Sequence, residues 1–182
     1  MRVYRASRKP RNLFDPFDSA ASIARDGWRF NDRRTEILYV AEVEALAILE
    51  VVARPGWESV GELTIAAIDV PDDAVVDLAD VNLLLPTSWN QRPVARYAQQ
   101  LGGEFLAKVD EQRARGRLVC GVRVPSVVSS TDHNVLLDPR QKSQYSVVAW
   151  SRTRLTGCEQ RERDIPHASE NQARSYSIEV HR

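Results

Sequence analysis

The sequence predicts an α+β domain, with a mostly antiparallel or mixed sheet and flanking helices. Three observations carry this expectation. Short β-type runs recur along the chain, two stretches have strong helical character, and the two kinds do not alternate as regular βαβ units. With 182 residues, 43% of them apolar and 27% charged, the chain has the size and composition of one folded domain with a single core.

Taken in order, residues 3–6 read as a short strand. Residues 19–25 read as a helix, with Asp18 available as its N-cap. A polar, Arg-rich segment follows over residues 26–36 and contains GWRFNDRR. Residues 37–41 form an apolar strand, and a helix runs from Glu42 to about Arg54, where Pro55-Gly56 stops it. A β-type run over residues 62–70 ends before Pro71. Residues 72–90 mix loop and short elements. Pro93 is placed to begin a helix through Leu101, Gly102-Gly103 is expected to bend it, and residues 104–115 continue it. Strands then recur at residues 117–124, 134–137 and 145–150. From about Thr156 the composition turns polar, which divides the chain into a domain over residues 1–155 and a C-terminal tail or arm over residues 156–182.

Charge and cysteine content exclude several classes. Lys plus Arg equals Asp plus Glu, 25 each, so the molecule has no long-range field of the kind a dedicated nucleic-acid binder carries. The basic residues near the start (Arg2, Arg5, Arg8, Lys9, Arg11) read most simply as a solvated end. Cys120 and Cys158 are too few for a disulfide framework and lack metal-ligand spacing, so no metal is expected. The first residues lack the apolar stretch of a signal peptide, and no run approaches the roughly 20 apolar residues of a membrane helix. The expected location is the cytoplasm, without membrane association.

No GxGxxG, P-loop, HExxH or GxSxG motif is present. His133, His167 and His181 all lie late in the chain, so a histidine-based triad is hard to build. The most informative feature is Glu50, the only charged residue in the nine-residue apolar run 45–53. A carboxylate on such a face needs a partner or a cleft. The ordinary alternative is a surface pair with Arg54, worth about 0.3–0.5 kcal/mol. Arg29, between Trp28 and Phe30, stands in an odd setting for a solvating residue and suits bidentate phosphate recognition. Arg33 and Arg34 read as exposed turn charges. Tyr39 reads first as a core tyrosine and second as an aromatic face for a ring ligand. Ser126, after Val124-Pro125, has no histidine to activate it, so ligand binding suits it better than nucleophilic attack.

Together these pieces resemble the RES domain, named for an Arg, a Glu and a Ser. The resemblance runs from Tyr4-Arg5-Ala6 to about Leu155. Gly27-Trp28-Arg29-Phe30-Asn31 is similar to the family's G-R-W-N/H segment, with an extra Trp28 and with Phe30 in the Trp place. Tyr39-Val40-Ala41 resembles its Y-x-A, and Ala45 to Glu50 its A-L-x-x-L-E helix. Trp89, Gln99 or Gln100, and Gly102 resemble a W…Q…G stretch in which Phe105 stands where Trp is common. Val124-Pro125-Ser126 and the run from Asn134 to Pro139 resemble V-P-S and N-x-L-L/F-N-P. Order and spacing carry the likeness, with ten residues from Arg29 to Tyr39 and eleven on to Glu50.

The resemblance implies an ADP-ribosyltransferase-like split sheet and an intracellular toxin that consumes NAD⁺ as substrate. It implies as partner an antitoxin with an Xre-like helix-turn-helix domain, with oligomers formed only through that complex, and allows a protein target for ADP-ribosylation. On this reading Glu50 stabilises the oxocarbenium-like centre created when nicotinamide leaves. Arg29, with Arg5, holds the pyrophosphate, Tyr39 packs against nicotinamide or ribose, and Ser126 hydrogen-bonds the ribose or amide. Asn31 joins this ligand-binding set. Transfer of ADP-ribose to a protein is the first expectation, and NAD⁺ depletion with water or phosphate as acceptor is the second. An RNA-directed toxin, or a non-catalytic interaction domain with Glu50 bridged to Arg29, are the competing classes.

Overall fold

The computed structural model describes residues 1–24, 26–53, 61–85, 87–94 and 96–155. Among them, seven strands form one sheet: β1 (Arg2–Ser7), β2 (Leu38–Ala41), β3 (Glu62–Asp69), β4 (Val75–Asp77), β5 (Gly121–Pro125), β6 (His133–Leu137) and β7 (Ser146–Arg154). Their spatial order is β4-β5-β6-β2-β1-β3-β7. β4 runs parallel to β5, and the other neighbours are antiparallel. The fold is therefore α+β with a mixed sheet, as the sequence predicts. The sheet is close to split at its centre: β1 meets β2 at one register pair, Tyr4 with Ala41, whereas β1 and β3 pair from Arg2–Asp69 through to Ser7–Thr64.

Strand alternation sorts the side chains into two faces. On one face, Val3, Leu38, Val40, Ala66, Ile68, Val135 and Leu137 form a core closed by Phe14 and Tyr145. The other face carries both α-helices of the described residues, α1 (Glu44–Val52) and α2 (Arg96–Ala114). α1 lays Leu46 and Ala47 on Ala41, beside Tyr4 and Ala6, and Val52 on Leu63. α2 lays Leu101, Phe105 and Val109 against Val122, Val124 and Leu136. Each fully buried side chain of this size contributes about 1.5–3 kcal/mol. Val43, at the start of α1, makes no side-chain cap, so packing rather than capping holds this short helix. The seam between the two helices passes over Tyr39 and Ala41 of β2 and their partners Leu136 and Asn134 of β6.

Four expectations change, the first being that the strand expected over residues 117–124 begins only at Gly121, where pairing with both β4 and β6 starts. Of the helix expected over residues 19–25, the described residues 19–24 form no α-helix; a 3₁₀ turn, Ala20–Ser22, stands there. Ser22 is committed elsewhere: its Oγ accepts from the Ile37 N–H at 3.0 Å and its carbonyl from Asn31 Nδ2 at 2.9 Å. Asp18 still accepts the Ala20 N–H, at 2.9 Å. α2 begins at Arg96, beyond Pro93, and runs straight through Gly102-Gly103. Those glycines do not bend it, because Gly102 serves a close approach described below. β7 runs on to Arg154, past Trp150, because β3 offers partners as far as Glu62. Arg54, the Pro55-Gly56 stop and the polar tail lie outside the described residues.

The N-terminal basic residues do not form one patch. Arg2 pairs with Asp69 at 2.9 Å, Arg5 turns inward, and the Arg11 guanidinium lies 5.2 Å from the Trp150 ring centre.

Candidate active site

Glu50 projects from α1 at the seam. Its Oε1 accepts two hydrogen bonds, from Ser126 Oγ at 2.8 Å and from Asn134 Nδ2 at 2.5 Å. Oε2 takes no hydrogen bond from the described residues. The sequence builds this locally. Pro125 closes β5, and the buried Ser126 opens the next turn, where its Oγ also accepts the Val128 N–H at 3.1 Å. The hydroxyl is thus anchored by its own turn and donates its proton to Glu50. Asn134 stands on β6, opposite Ala41 of β2 and Val124 of β5, and so comes from the middle of three paired strands.

Beside this cluster lies an open depression of about 480 Å³, bounded by Trp89 and Asn90 on one side and by residues 125–130 on the other. Ser126 lines it and leads to Glu50. Arg29 does not itself line the depression, but donates to the carbonyl of its wall residue Trp89 at 2.7 Å and to the Gln91 carbonyl at 3.4 Å. A smaller depression of about 130 Å³, next to Arg11, Thr64, Trp150 and Arg152, lies on the far face of the sheet, away from this chemistry.

The loop carrying Arg29 is pinned from several directions. Gly27 has φ of +83°, and a Cβ there would lie 2.2 Å from the Asn31 carbonyl oxygen, so only glycine fits the turn. Asn31 is fully buried, and its Nδ2 donates to the carbonyls of Ser22, Asp32 and Thr35 at 2.9, 3.0 and 2.7 Å. Tyr39 completes the knot: its hydroxyl donates to Asn31 Oδ1 at 2.8 Å and accepts the Phe30 N–H at 3.1 Å. The Tyr39 ring lies against Trp28, centroids 5.3 Å apart, and Phe30 stacks on Trp89 at 6.1 Å. From α2, Gln99 Nε2 donates to the carbonyls of Asp26 and Trp28 at 2.9 and 3.1 Å, and the Gly102 N–H to the Phe30 carbonyl at 2.7 Å.

The structure therefore brings Glu50 and Ser126 into direct contact, and Arg29 to the facing wall through Trp89. Tyr39 lies under the Arg29 loop. Asn31 is spent on holding that loop. Arg5 is not brought to the cleft: Tyr4 faces the helices, so Arg5, one residue on, faces the opposite side of the sheet. There it donates to the carbonyls of Pro16 and Asp18, both at 2.7 Å, and packs over Phe14. Burial pushes its pKa below the ordinary guanidinium value, against the opposing pull of Asp18 and Asp15.

Sequence reasoning missed the contact of Asn134 with Glu50 and the clip made by Gln99. Both stand in the quoted motifs. The available signal for Asn134 was strand phase, since Val135 and Leu137 read as core and place 134 and 136 on the other face. Among the described residues no group of three or more His, Cys, Asp or Glu gathers to hold a metal ion. No helix among them is long and apolar enough to cross a membrane.

The chain is 27% identical over 123 residues to a protein named Toxin Res from Photorhabdus laumondii, covering 67% of this chain and 72% of that one. It is also 27% identical to a Toxin Res from Yersinia enterocolitica, over 64% of this chain and 71% of the other. Its fold is similar to a chain in the crystal structure of the M. tuberculosis MbcT-MbcA toxin-antitoxin complex, with a TM-score of 0.61, 18% identity and 84% of each chain covered. The RES domain model matches residues 2–156, which span β1 to β7 and every residue of the cleft, and the chain belongs to the RES domain family.

Proposed function

We propose that this RES domain is the toxin of a toxin–antitoxin pair, and that it cleaves the nicotinamide–ribose bond of NAD⁺ and transfers ADP-ribose to a protein acceptor. The observation that carries the reading is Glu50: a carboxylate with one oxygen held by Ser126 and Asn134 and the other taking no hydrogen bond from the described residues, behind the Ser126 that lines the depression. The names of the relatives support the toxin reading, and the complex in which the structural neighbour occurs supports an antitoxin as partner. An Xre-like helix-turn-helix antitoxin and action in the cytoplasm belong to the same proposal.

Chemically, the bond between ribose C1′ and the nicotinamide nitrogen breaks with its electron pair going to nitrogen, so nicotinamide leaves neutral. Positive charge develops at C1′, and Glu50 Oε2 stabilises it. The acceptor then bonds to C1′ and gives up its proton. Arg29, bonded to the backbone of the wall residue Trp89, suits the pyrophosphate, and Ser126 supplies a hydroxyl at the cleft surface. Tyr39 acts by holding the Arg29 loop.

Transfer to a protein is favoured by the openness of the depression, whose rim residue Val127 is 40% exposed, so a macromolecular acceptor can reach it. Water or phosphate as acceptor, with NAD⁺ depletion as the toxic act, is favoured by the composition of the described lining. It contains no carboxylate and no histidine of its own to activate a protein nucleophile.

The test is to induce the chain without antitoxin, beside Glu50→Gln, and to follow growth, intracellular NAD⁺ and ADP-ribosylated protein. Growth arrest that needs Glu50, with labelled protein and NAD⁺ largely kept, supports transfer. A fast Glu50-dependent fall in NAD⁺ supports depletion. Arrest that persists undiminished in Glu50→Gln overturns the enzymatic reading.

A further inference from the structure

We infer that Asn134 is a positioning residue that acts through Glu50: with Ser126 it saturates Oε1, fixes the carboxylate's rotation, and so delivers Oε2 alone to the substrate. The inference rests on the reading of Glu50 as the reactive carboxylate.

Two donors from two separate elements converge on one oxygen. Ser126 comes from the turn after β5 and Asn134 from within β6, at 2.8 and 2.5 Å from Oε1. A carboxylate oxygen offers two lone pairs, and these donors occupy both. A glutamate side chain otherwise turns freely about its last bond, and either oxygen would face the cleft. With Oε1 tied down, that rotation stops. The chemistry at C1′ then falls to one oxygen in one orientation, which is the preorganisation a developing charge requires.

The two donors are not equivalent. Ser126 stands in a turn, and its hydroxyl also answers the Val128 N–H at 3.1 Å. Asn134 stands in a strand paired on both sides, to β2 through Ala41 and to β5 through Val124, so its Cα is held by two ladders. The amide is planar and aims its N–H with less freedom than a hydroxyl rotor. Asn134 is therefore the stiffer of the two guides. The three residues that follow it in β6, Val135 to Leu137, are fully buried core residues, whereas the Asn134 side chain is spent on Glu50.

Asn134→Ala, Asn134→Asp and Glu50→Gln, singly and with each Asn134 change combined with Glu50→Gln, are tested for nicotinamide release from NAD⁺, with kcat and KM measured separately. Asn134→Asp keeps shape but loses the donor and sets a carboxylate against Oε1, so it guards against an effect of lost volume. Positioning predicts a kcat loss of about 10- to 100-fold in both variants, the size expected when a reacting group is misaligned by around an ångström. KM stays within about threefold, and no further loss appears in the Glu50→Gln background. Full kcat in both Asn134 variants, while Glu50→Gln falls to a small residual rate, overturns the inference and leaves the reading of Glu50 standing. A KM rise that accounts for the whole loss, or a loss that multiplies with Glu50→Gln, also overturns it. Nicotinamide release undiminished in Glu50→Gln removes the reading of Glu50, and the inference falls with it.

Discussion

The Gly102 N–H, in the second turn of α2, donates to the Phe30 carbonyl at 2.7 Å, so the backbone of the helix is hydrogen-bonded to the backbone of the loop that carries Arg29. This approach is possible only without a side chain. A Cβ on Gly102 would lie 2.4 Å from the Phe30 oxygen and 3.1 Å from Ile37 Cγ1, whereas one on Gly103 would meet only Thr35 Oγ1 at 3.7 Å.

Adjacent glycines therefore give opposite outcomes. Gly102→Ala is expected to cost about 1–3 kcal/mol, as overpacking against backbone does, and to lower nicotinamide release by displacing the Arg29 loop. Gly103→Ala is expected to raise stability by about 0.5–1 kcal/mol, since alanine is the better helix former and has room there. Chemical denaturation of the two variants checks this, and equal effects would show that the loop does not depend on the approach of α2.

Tyr39→Phe isolates the hydroxyl. It joins the Phe30 N–H to Asn31 Oδ1, and its loss leaves both without that partner while the ring stays against Trp28. Destabilisation of about 1–3 kcal/mol is expected from these half-buried groups. Because the Arg29 loop loosens, KM for NAD⁺ should rise more than kcat falls. A kcat loss at constant KM would assign Tyr39 a direct part in bond cleavage.

Much of the arrangement is legible from local pattern, and the remainder depends on register. Glu50 stands out as the lone charge in the apolar run 45–53, and Arg29 by its aromatic neighbours, because both signals lie within a few residues. Asn134 meets Glu50 across 84 residues of sequence, and only the pairing of β6 with β2 and β5 puts its side chain toward α1. Arg5 shows the same dependence: a strand at the start of the chain is readable, but a phase of one residue decides whether Tyr4 or Arg5 faces the helices. Gly102 reads as a bend because its cost to a helix is local, while the Phe30 carbonyl that requires it arrives from a distant loop. Residues 19–25 have helical composition, yet Ser22 is more tightly held by Asn31 and Ile37 than by a helical ladder.

Asn31→Asp is expected to be among the most destabilising single changes near the cleft. The amide donates to three carbonyls from a site with no solvent exposure. A carboxylate there would set negative charge against the same three oxygens, at a cost of about 3 kcal/mol or more. The expected result is a large drop in Tm together with loss of activity. A stable but inactive Asn31→Asp would instead mean that the residue serves the substrate directly and that other bonds hold the loop.

Alkaline pH provides a separate probe of the core behind the site. Cys120 is fully buried, its thiol donates to Gln141 Oε1 at 3.4 Å, and burial, with Asp138 nearby, pushes its pKa up from 9.0 to about 11. Tyr145, whose hydroxyl donates to the carbonyls of Cys120 and Asp138, is shifted upward for the same leading reason. The sign follows from proton counts. Between pH 9 and 11 the unfolded thiol has lost its proton while the folded one keeps it, so the unfolded state binds fewer protons and stability falls as pH rises. The contribution is fully present below pH 9 and is lost through about 11. Denaturation curves across this window should show wild type losing stability faster than Cys120→Ala, by up to about 1.4 kcal/mol per pH unit. Parallel slopes would mean that the folded thiol ionises as readily as the unfolded one, and that water reaches Cys120 in the native state.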